Sequence, residues 1–364
     1  MRLCFVGPAG SIHTQRWVSA FVRFGHEVHL VTLPDDPAVT LPGVVCHALP
    51  AGKPKLRFAV WTLALRRILT SVRPDLLHAH YLTRYGWLAA ASLFRPSVLT
   101  AWGSDVYIDL PRSRLTRQVA RWALGRADLV TVDAADLRER TIAAGARPGR
   151  TELVQWGVDT NVFRPDVDTS ALRSRLDLTN RPVILSTRAV TPLYNQHVIV
   201  EALPLILAQV PGVRLIVKYG AFDAAYLGRV KEDVQRLGLG EAVRFVEQTP
   251  YNELAAYYAL GDIFVSIASS DSTPVSLLEA MACGTAPVVS ELPALAEWVQ
   301  DGVNGFLVPP QDPKVLSERV VRLLTDAGLR DRFAEANVQS VRERANHEGE
   351  MRRMEALYKR LCRR

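Results

Sequence analysis

Glu279 is the only charged side chain between Pro274 and Val289. A carboxylate alone in such an apolar stretch is costly to bury unless donors surround it. One reading turns Glu279 to solvent or pairs it with a distant arginine. The other gives its oxygens to ligand hydroxyls, and the adjacent hydroxyls of a ribose suit one carboxylate. Thr273 is of a type that caps helices, Pro274 suits a first helical position, and Gly284 suits the residue beyond the last turn. The expected helix start, with Thr273, Pro274, Val275 and Ser276, presents free N–H groups to an anion. Asp271 lies eight residues before Glu279, in the loop entering the same helix. One element would then offer a hydroxyl-binding carboxylate, a phosphate-binding helix end and a second carboxylate. That set matches the ribose, diphosphate and hexose of a nucleotide-sugar.

Arg188 ends the first strand of the second half of the chain. Open α/β sheets bind ligands beyond their strand C-termini, and arginine there suits a two-pronged phosphate contact. The plainer reading is a surface arginine. In the first half, Gly7 to Ser11, with Gly10, follows a strand and precedes a helix. The segment lacks the GxGxxG dinucleotide fingerprint, but its glycines let backbone approach a ligand closely. His13 follows directly. His78 and His80 end another strand, where a histidine is either structural or turned into a site. Gly103 and Asp105 follow the next strand and are expected to shape an acceptor site, with Asp105 equally suited to cap a helix. No CxxC or Cys/His spacing suggests zinc, and no DxD-like pair stands in a convincing context. No metal and no resident cofactor are expected.

These residues need a scaffold of strand ends. Apolar runs at Leu3–Val6, Glu27–Thr32, Asp75–Ala79, Ser97–Ala101 and Asp128–Val132 alternate with helical patterns. The second half repeats the theme at Pro182–Ser186, Val213–Lys218, Val243–Val246, Ile263–Ile267 and Ala286–Val289. This is the rhythm of parallel, doubly wound α/β sheets. The polar stretch from Asp166 to Arg181, bracketed by Pro165 and Pro182, reads as the boundary. The expected division is 1–165, then 166–345, then a C-terminal helix over 346–364.

The chain has 364 residues, 48% of them hydrophobic and 22% charged, which excludes a disordered chain. No apolar run reaches the ~18 residues of a membrane span. The short apolar N-terminus reads as a strand rather than a signal peptide, and four scattered cysteines fit a reducing compartment. A cytoplasmic protein is expected. The net charge is +7. Its excess clusters at Lys53, Lys55, Arg57, Arg66 and Arg67 and again at Arg112, Arg114, Arg117, Arg121 and Arg126. Anionic lipid, nucleic acid or a phosphorylated small molecule are the partners such clusters admit, and a solvated basic face is the bland alternative. Leu115, Val119 and Trp122 form an apolar stripe opposite Arg114, Arg117 and Arg121, as in an interfacial helix or an ordinary core-facing one. Peripheral contact with the inner face of an anionic membrane is compatible with this pattern; nucleic acid is not the expected partner.

The ordered set of motifs resembles a retaining glycosyltransferase of glycosyltransferase family 4. Asp271-x7-Glu279 followed by Ala-Met-Ala-Cys-Gly284 is similar to that family's E-x7-E-A-M-A-C-G signature. Gly157 to Pro165 resembles its GVD-x-x-x-F-x-P segment, and Asp301 to Val308 its D-G-x-x-G-x-L-V segment. His26-Glu27-Val28 matches its usual H-E-V. The resemblance implies the GT-B fold class: two Rossmann-like, doubly wound parallel-sheet domains facing across a cleft, the first for the acceptor and the second for the donor. The last helix would cross back onto the first domain. The implied donor-binding set is Glu279 (ribose), Arg188 (diphosphate), Lys218, Gly220, Thr273, Pro274, Val275 and Ser276. The implied catalytic set is His80 at the reacting centre, Asp271 on the transferred sugar, and Arg188. Gly10, Ser11, His13, Gly103 and Asp105 would serve the acceptor side. The co-substrate would be a nucleoside-diphosphate sugar and the acceptor a hydroxyl, with retained configuration and no metal.

Five residues mark departures from the family pattern. Asp271 replaces a glutamate, Tyr194-Asn195 occupy the region of a common lysine, Trp156 replaces asparagine, and Trp102 replaces histidine. Lys218 is the candidate to replace the missing lysine's charge. The competing readings are a sugar-nucleotide epimerase or hydrolase of the same fold, a nicotinamide dehydrogenase disfavoured by the missing fingerprint, and a non-catalytic basic protein binding membrane or RNA.

Overall fold

The computed structural model describes residues 1–363. The chain divides into two compact units, Met1–Trp156 joined by the residues from Glu348 on, and Gly157–His347.

The first unit holds a seven-stranded sheet. Its strands are β1 (Arg2–Val6), β2 (Glu27–Thr32), β3 (Val44–Ala48), β4 (Leu76–His80), β5 (Ser97–Thr100), β6 (Leu129–Val132) and β7 (Thr151–Leu153). They are arranged β3-β2-β1-β4-β5-β6-β7, and every pairing is parallel. Phe5 of β1 lies opposite Leu30 on one side and His78 on the other. The chain reverses its direction of sheet growth between β1 and β4, so their C-terminal ends border a crevice of the kind that binds ligands. β4 and β6 are buried throughout, as Leu- and Val-rich strands covered on both faces must be. The last helix, His347–Cys362, seats Tyr358 against the His78 ring and Glu355 against His26, with 2.9 Å from the His26 Nε2 to a Glu355 oxygen.

The second unit repeats the design with six strands. They are β8 (Val183–Ser186), β9 (Arg214–Lys218), β10 (Val243–Val246), β11 (Ile263–Ser266), β12 (Ala286–Ser290) and β13 (Phe306–Val308). The order is β10-β9-β8-β11-β12-β13, again parallel throughout. Here the reversal falls between β8 and β11, and the chain leaves β11 through Asp271 into the helix Val275–Ala282. Every residue of that helix except Ser276 is buried.

The doubly wound α/β class expected from the sequence is what both units show. Three strands were not among the expected ones. β3 is an edge strand with three of its five side chains exposed and none buried, and β7 and β13 are only three residues long. One local expectation is corrected. Thr273 does not cap the helix and Pro274 is not its first residue. Pro274 itself takes the cap position with extended backbone (ψ 124°), because its ring fixes φ while ψ stays free to place the chain outside the helix. The Thr273 hydroxyl instead accepts from the Trp298 indole at 3.3 Å. Gly284 follows the last turn with φ +77°, the left-handed conformation glycine adopts without strain.

Candidate functional site

The C-terminal edge of the second sheet gathers charges from three adjacent strands. Arg188 follows β8, Asp271 follows β11, and Lys218 ends β9. The Arg188 guanidinium donates to an Asp271 carboxylate oxygen at 2.7 Å and to the Ser276 hydroxyl at 2.7 Å. Its carbon lies 4.4 Å from the centre of the Tyr194 ring. Burial works against its charge, yet Asp271 and the neighbouring tyrosines outweigh burial and raise its pKa. Burial raises the pKa of Asp271, and Arg188 opposes that rise. The Asp271 carboxylate also accepts from the Ser272 N–H at 3.1 Å. Arg188, Asp271 and the first turn of the helix Val275–Ala282 thus form one cluster.

Glu279 sits one turn deeper on that helix and is 4% exposed. Two tyrosines of the helix Tyr251–Leu260 meet it. The Tyr251 hydroxyl donates to one oxygen at 3.3 Å. Tyr258 lies fully buried beside the same carboxylate, and its burial, together with the Glu279 charge and a hydrogen bond to it, raises the tyrosine's pKa well above normal. Tyr258 shares a further hydrogen bond of 2.9 Å with Thr187, beside Arg188. Lys218 is buried, with its ammonium donating to the Glu247 carbonyl at 3.4 Å and lying 5.2 Å from the Tyr257 ring centre. Burial lowers its pKa, against the pull of Glu253. Gly220, two residues beyond β9, is exposed, and Val275 is buried.

Four residues of this neighbourhood had no role assigned from the sequence. Tyr251 and Tyr258 are seven apart, two turns on one face of the helix Tyr251–Leu260, and that spacing was a readable signal. Tyr194 stacks on Arg188, and the Asn195 amide donates to the Ile267 carbonyl and the Ser269 hydroxyl, each at 2.8 Å. Asn195 thereby ties the loop after β8 to the loop after β11, a role no spacing announces.

The first unit has its own cluster at the ends of β1, β4 and β5. His80 is 1% exposed, and neither ring nitrogen has a hydrogen-bond partner among the described residues. Its ring meets Trp17, His78, Phe5 and Trp102 at centroid distances of 4.9, 4.6, 5.7 and 6.0 Å. This burial lowers its pKa to about 3, so the ring is neutral. His78 differs, since Thr100 lies 2.7 Å from one nitrogen and Tyr358 partners the other. Gly7 keeps the loop after β1 close, because a Cβ there would lie 3.1 Å from that of His80. Gly10 sits against Pro37, and the Ser11 hydroxyl caps the following helix by accepting from the His13 N–H at 3.3 Å. The His13 ring meets Trp156 and Trp102 at 4.6 and 5.8 Å. Gly103 takes φ +96°. Asp105 is fully buried, and its carboxylate accepts from Leu82 N–H at 2.6 Å and Trp102 N–H at 3.0 Å. It ties the loops after β4 and β5 together, and burial raises its pKa to about 6.

Residues 168–339 match the family described as Glycosyl transferases group 1, and residues 2–134 match the one described as Glycosyl transferase 4-like. Between them the two matches span most of the chain, which is similar to glycosyl transferases in both units. Among curated relatives, a D-inositol 3-phosphate glycosyltransferase of Streptosporangium roseum is 31% identical over 280 residues, 72% of this chain and 64% of the relative. A GDP-mannose-dependent alpha-(1-6)-phosphatidylinositol monomannoside mannosyltransferase of Mycolicibacterium smegmatis is 32% identical over 57% of each chain. The alignment thus spans roughly six-tenths of these two relatives' length. Anabaena HepE, solved with UDP-glucose, superposes with a TM-score of 0.85 at 21% identity, covering 99% of this chain and 100% of that one. Likeness at that identity speaks for the fold, the GT-B class expected from the motifs.

Proposed function

We propose that the chain is a retaining glycosyltransferase moving a hexose from a nucleoside-diphosphate sugar to a hydroxyl acceptor. The observation that carries the reading is the cluster at the ends of β8 and β11. Arg188, Asp271 and Ser276 converge there on the start of a buried helix that also carries Glu279. The free N–H groups of the first turn, Arg188 and Lys218 serve the diphosphate. Glu279, already polarised by Tyr251 and Tyr258, takes the ribose hydroxyls, and Asp271 takes hydroxyls of the transferred sugar. Thr273, Pro274, Val275 and Gly220 shape the backbone around them.

In the proposed reaction the acceptor oxygen bonds to the anomeric carbon on the face the diphosphate leaves. The bond from that carbon to the diphosphate oxygen breaks, and the acceptor proton passes to the departing phosphate. Negative charge grows on the diphosphate, where Arg188 and the helix start stabilise it. These cations fill the role a metal would have, so the reading requires none. In the first unit, neutral His80 orients the acceptor, whose proton goes to the phosphate, and Gly10, Ser11, His13, Gly103 and Asp105 build the surrounding loops. The names of the similar proteins make an inositol-type polyol the first acceptor class to assay.

Thermal melting against UDP-, GDP- and ADP-sugars tests donor binding, because a ligand selective for the folded state raises the melting point. One nucleotide series should stabilise the parent and fail with Glu279→Ala and Arg188→Ala. If no nucleotide-sugar shifts the parent at millimolar concentration, the donor assignment is wrong.

A further inference from the structure

The first unit carries a basic, apolar face that the proposed reaction does not use. Residues 37–74 contain six lysines and arginines and no acidic residue. In this stretch the helix Arg57–Val72 buries Trp61, Leu65 and Leu69. It leaves Leu63 56% exposed and, at its cap, Leu56 60% exposed. These two are seven residues apart, so they lie on one side, with Arg67 one turn beyond Leu63. Arg66 donates to the carbonyls of Ala91 and Ser92 and so binds this helix to the short helix Trp87–Ser92.

That short helix packs in turn against the helix Arg114–Arg126. There the core-facing reading of the stripe at Leu115 and Trp122 fails. Ala120, Ala123 and Leu124 are the buried positions, while Leu115 is 68% and Trp122 43% exposed. Leu115 and Trp122 are seven residues apart, two turns on one side, and Arg114, Arg117 and Arg121 form a strip about a third of a turn round the helix from them. None of these three arginines forms an ion pair among the described residues. Arg114, Arg117 and Arg121 also line a shallow groove with Leu110.

We infer that this face docks the first unit on an anionic lipid bilayer, with Leu56, Leu63, Leu115 and Trp122 at the acyl boundary and the cations among the headgroups. Single exposed leucines are ordinary, but here two helices that pack on the same short helix each present a leucine-bearing edge beside cations that form no ion pair among the described residues. Aliphatic side chains gain nothing from a nucleic-acid backbone, whereas burial in the interfacial region stabilises them. A membrane also rewards the charge, at about 1 kcal/mol for each lysine or arginine near an anionic surface. Exposed leucine together with arginine is therefore the pairing that distinguishes a bilayer from other polyanions.

The test is co-sedimentation of the full chain with vesicles of phosphatidylcholine alone or mixed equally with phosphatidylglycerol. Binding is expected only to the mixed vesicles and should weaken with salt. Neutralising Arg114, Arg117 and Arg121 to glutamine should lower partitioning about 100-fold, the equivalent of ~3 kcal/mol at 1.4 kcal/mol per tenfold. Leu115→Ser with Trp122→Ser, at solvent-exposed positions, should also lower it at least about tenfold while circular dichroism and melting stay those of the parent. Equal binding to both vesicle types, no binding to either, or full binding by the Leu115/Trp122 variant overturns the inference. Retention of single-stranded RNA in place of vesicles overturns it too. The readout is partitioning, so it stands or fails independently of sugar transfer.

Discussion

Replacing Arg188 by alanine removes the cation that faces Asp271 and Ser276, each at 2.7 Å. The two charged side chains retain only 11% and 15% of their exposure, so solvent screens the pair little. Losing one partner of such a pair leaves the other charge buried and costs about 3–5 kcal/mol. Burial already raises the pKa of Asp271, and without Arg188 proton uptake moves the cost toward the lower end of that range. A domain of this size shifts its melting point by about 2–4 °C per kcal/mol, so the unliganded variant should melt about 6–20 °C below the parent. Asp271→Ala and the double variant complete a cycle, followed by calorimetry at neutral pH. The double variant should be less destabilised than the sum of the singles, by about 0.5–3 kcal/mol. Additive losses, or an Arg188→Ala protein melting with the parent, would refute the pairing and the electrostatics built on it.

Two further outcomes follow from the same geometry. Glu279→Gln keeps the size of the side chain but removes the charge that ligand hydroxyls would bond. Donor dissociation constants by calorimetry should rise about 10- to 100-fold, as expected for a lost charged hydrogen bond, and unchanged affinity would remove Glu279 from the ribose. His80 holds its pKa near 3 against 6.5 when exposed, so between these values only the unfolded chain binds the proton. The stability present above pH 6.5 is therefore lost as pH falls toward 3, by about 2 kcal/mol at pH 5 at 1.36 kcal/mol per pK unit. His80→Gln should flatten that part of a denaturant-midpoint profile from pH 7 to 5, and an unaltered profile would show that the ring is not buried neutral.

Much of the fold was legible because parallel strands buried on both faces read as unbroken apolar runs. β1, β4, β8 and β11 follow that rule, and they bring Gly10, His80, Arg188 and Asp271 to sheet edges. β3 was not legible, since three of the five residues of this edge strand face water and none is buried. At the candidate site, the isolation of Glu279 among apolar residues announced a buried carboxylate, but not what would hold it. Its tyrosine partners lie 28 and 21 positions away, brought close by packing of the helix Tyr251–Leu260. The partnership of Arg188 with Asp271 crosses 83 positions and depends on β8 lying beside β11. That adjacency comes from strand order, which local patterns do not carry. The start of the helix Val275–Ala282 was misjudged by one residue, because proline satisfies the backbone angles of both the cap and the first turn.

The most direct test is a transfer assay with the donor that stabilises the chain and an inositol-type polyol or lipid-linked acceptor, the product analysed by nuclear magnetic resonance. The expected product is a new glycoside with the anomeric configuration of the donor, formed by the parent and lost with Arg188→Ala and Glu279→Ala. An inverted product would contradict the proposed same-face mechanism. Free or epimerised sugar in place of a glycoside, or near-normal turnover by both variants, would contradict the assignment of this site to glycosyl transfer.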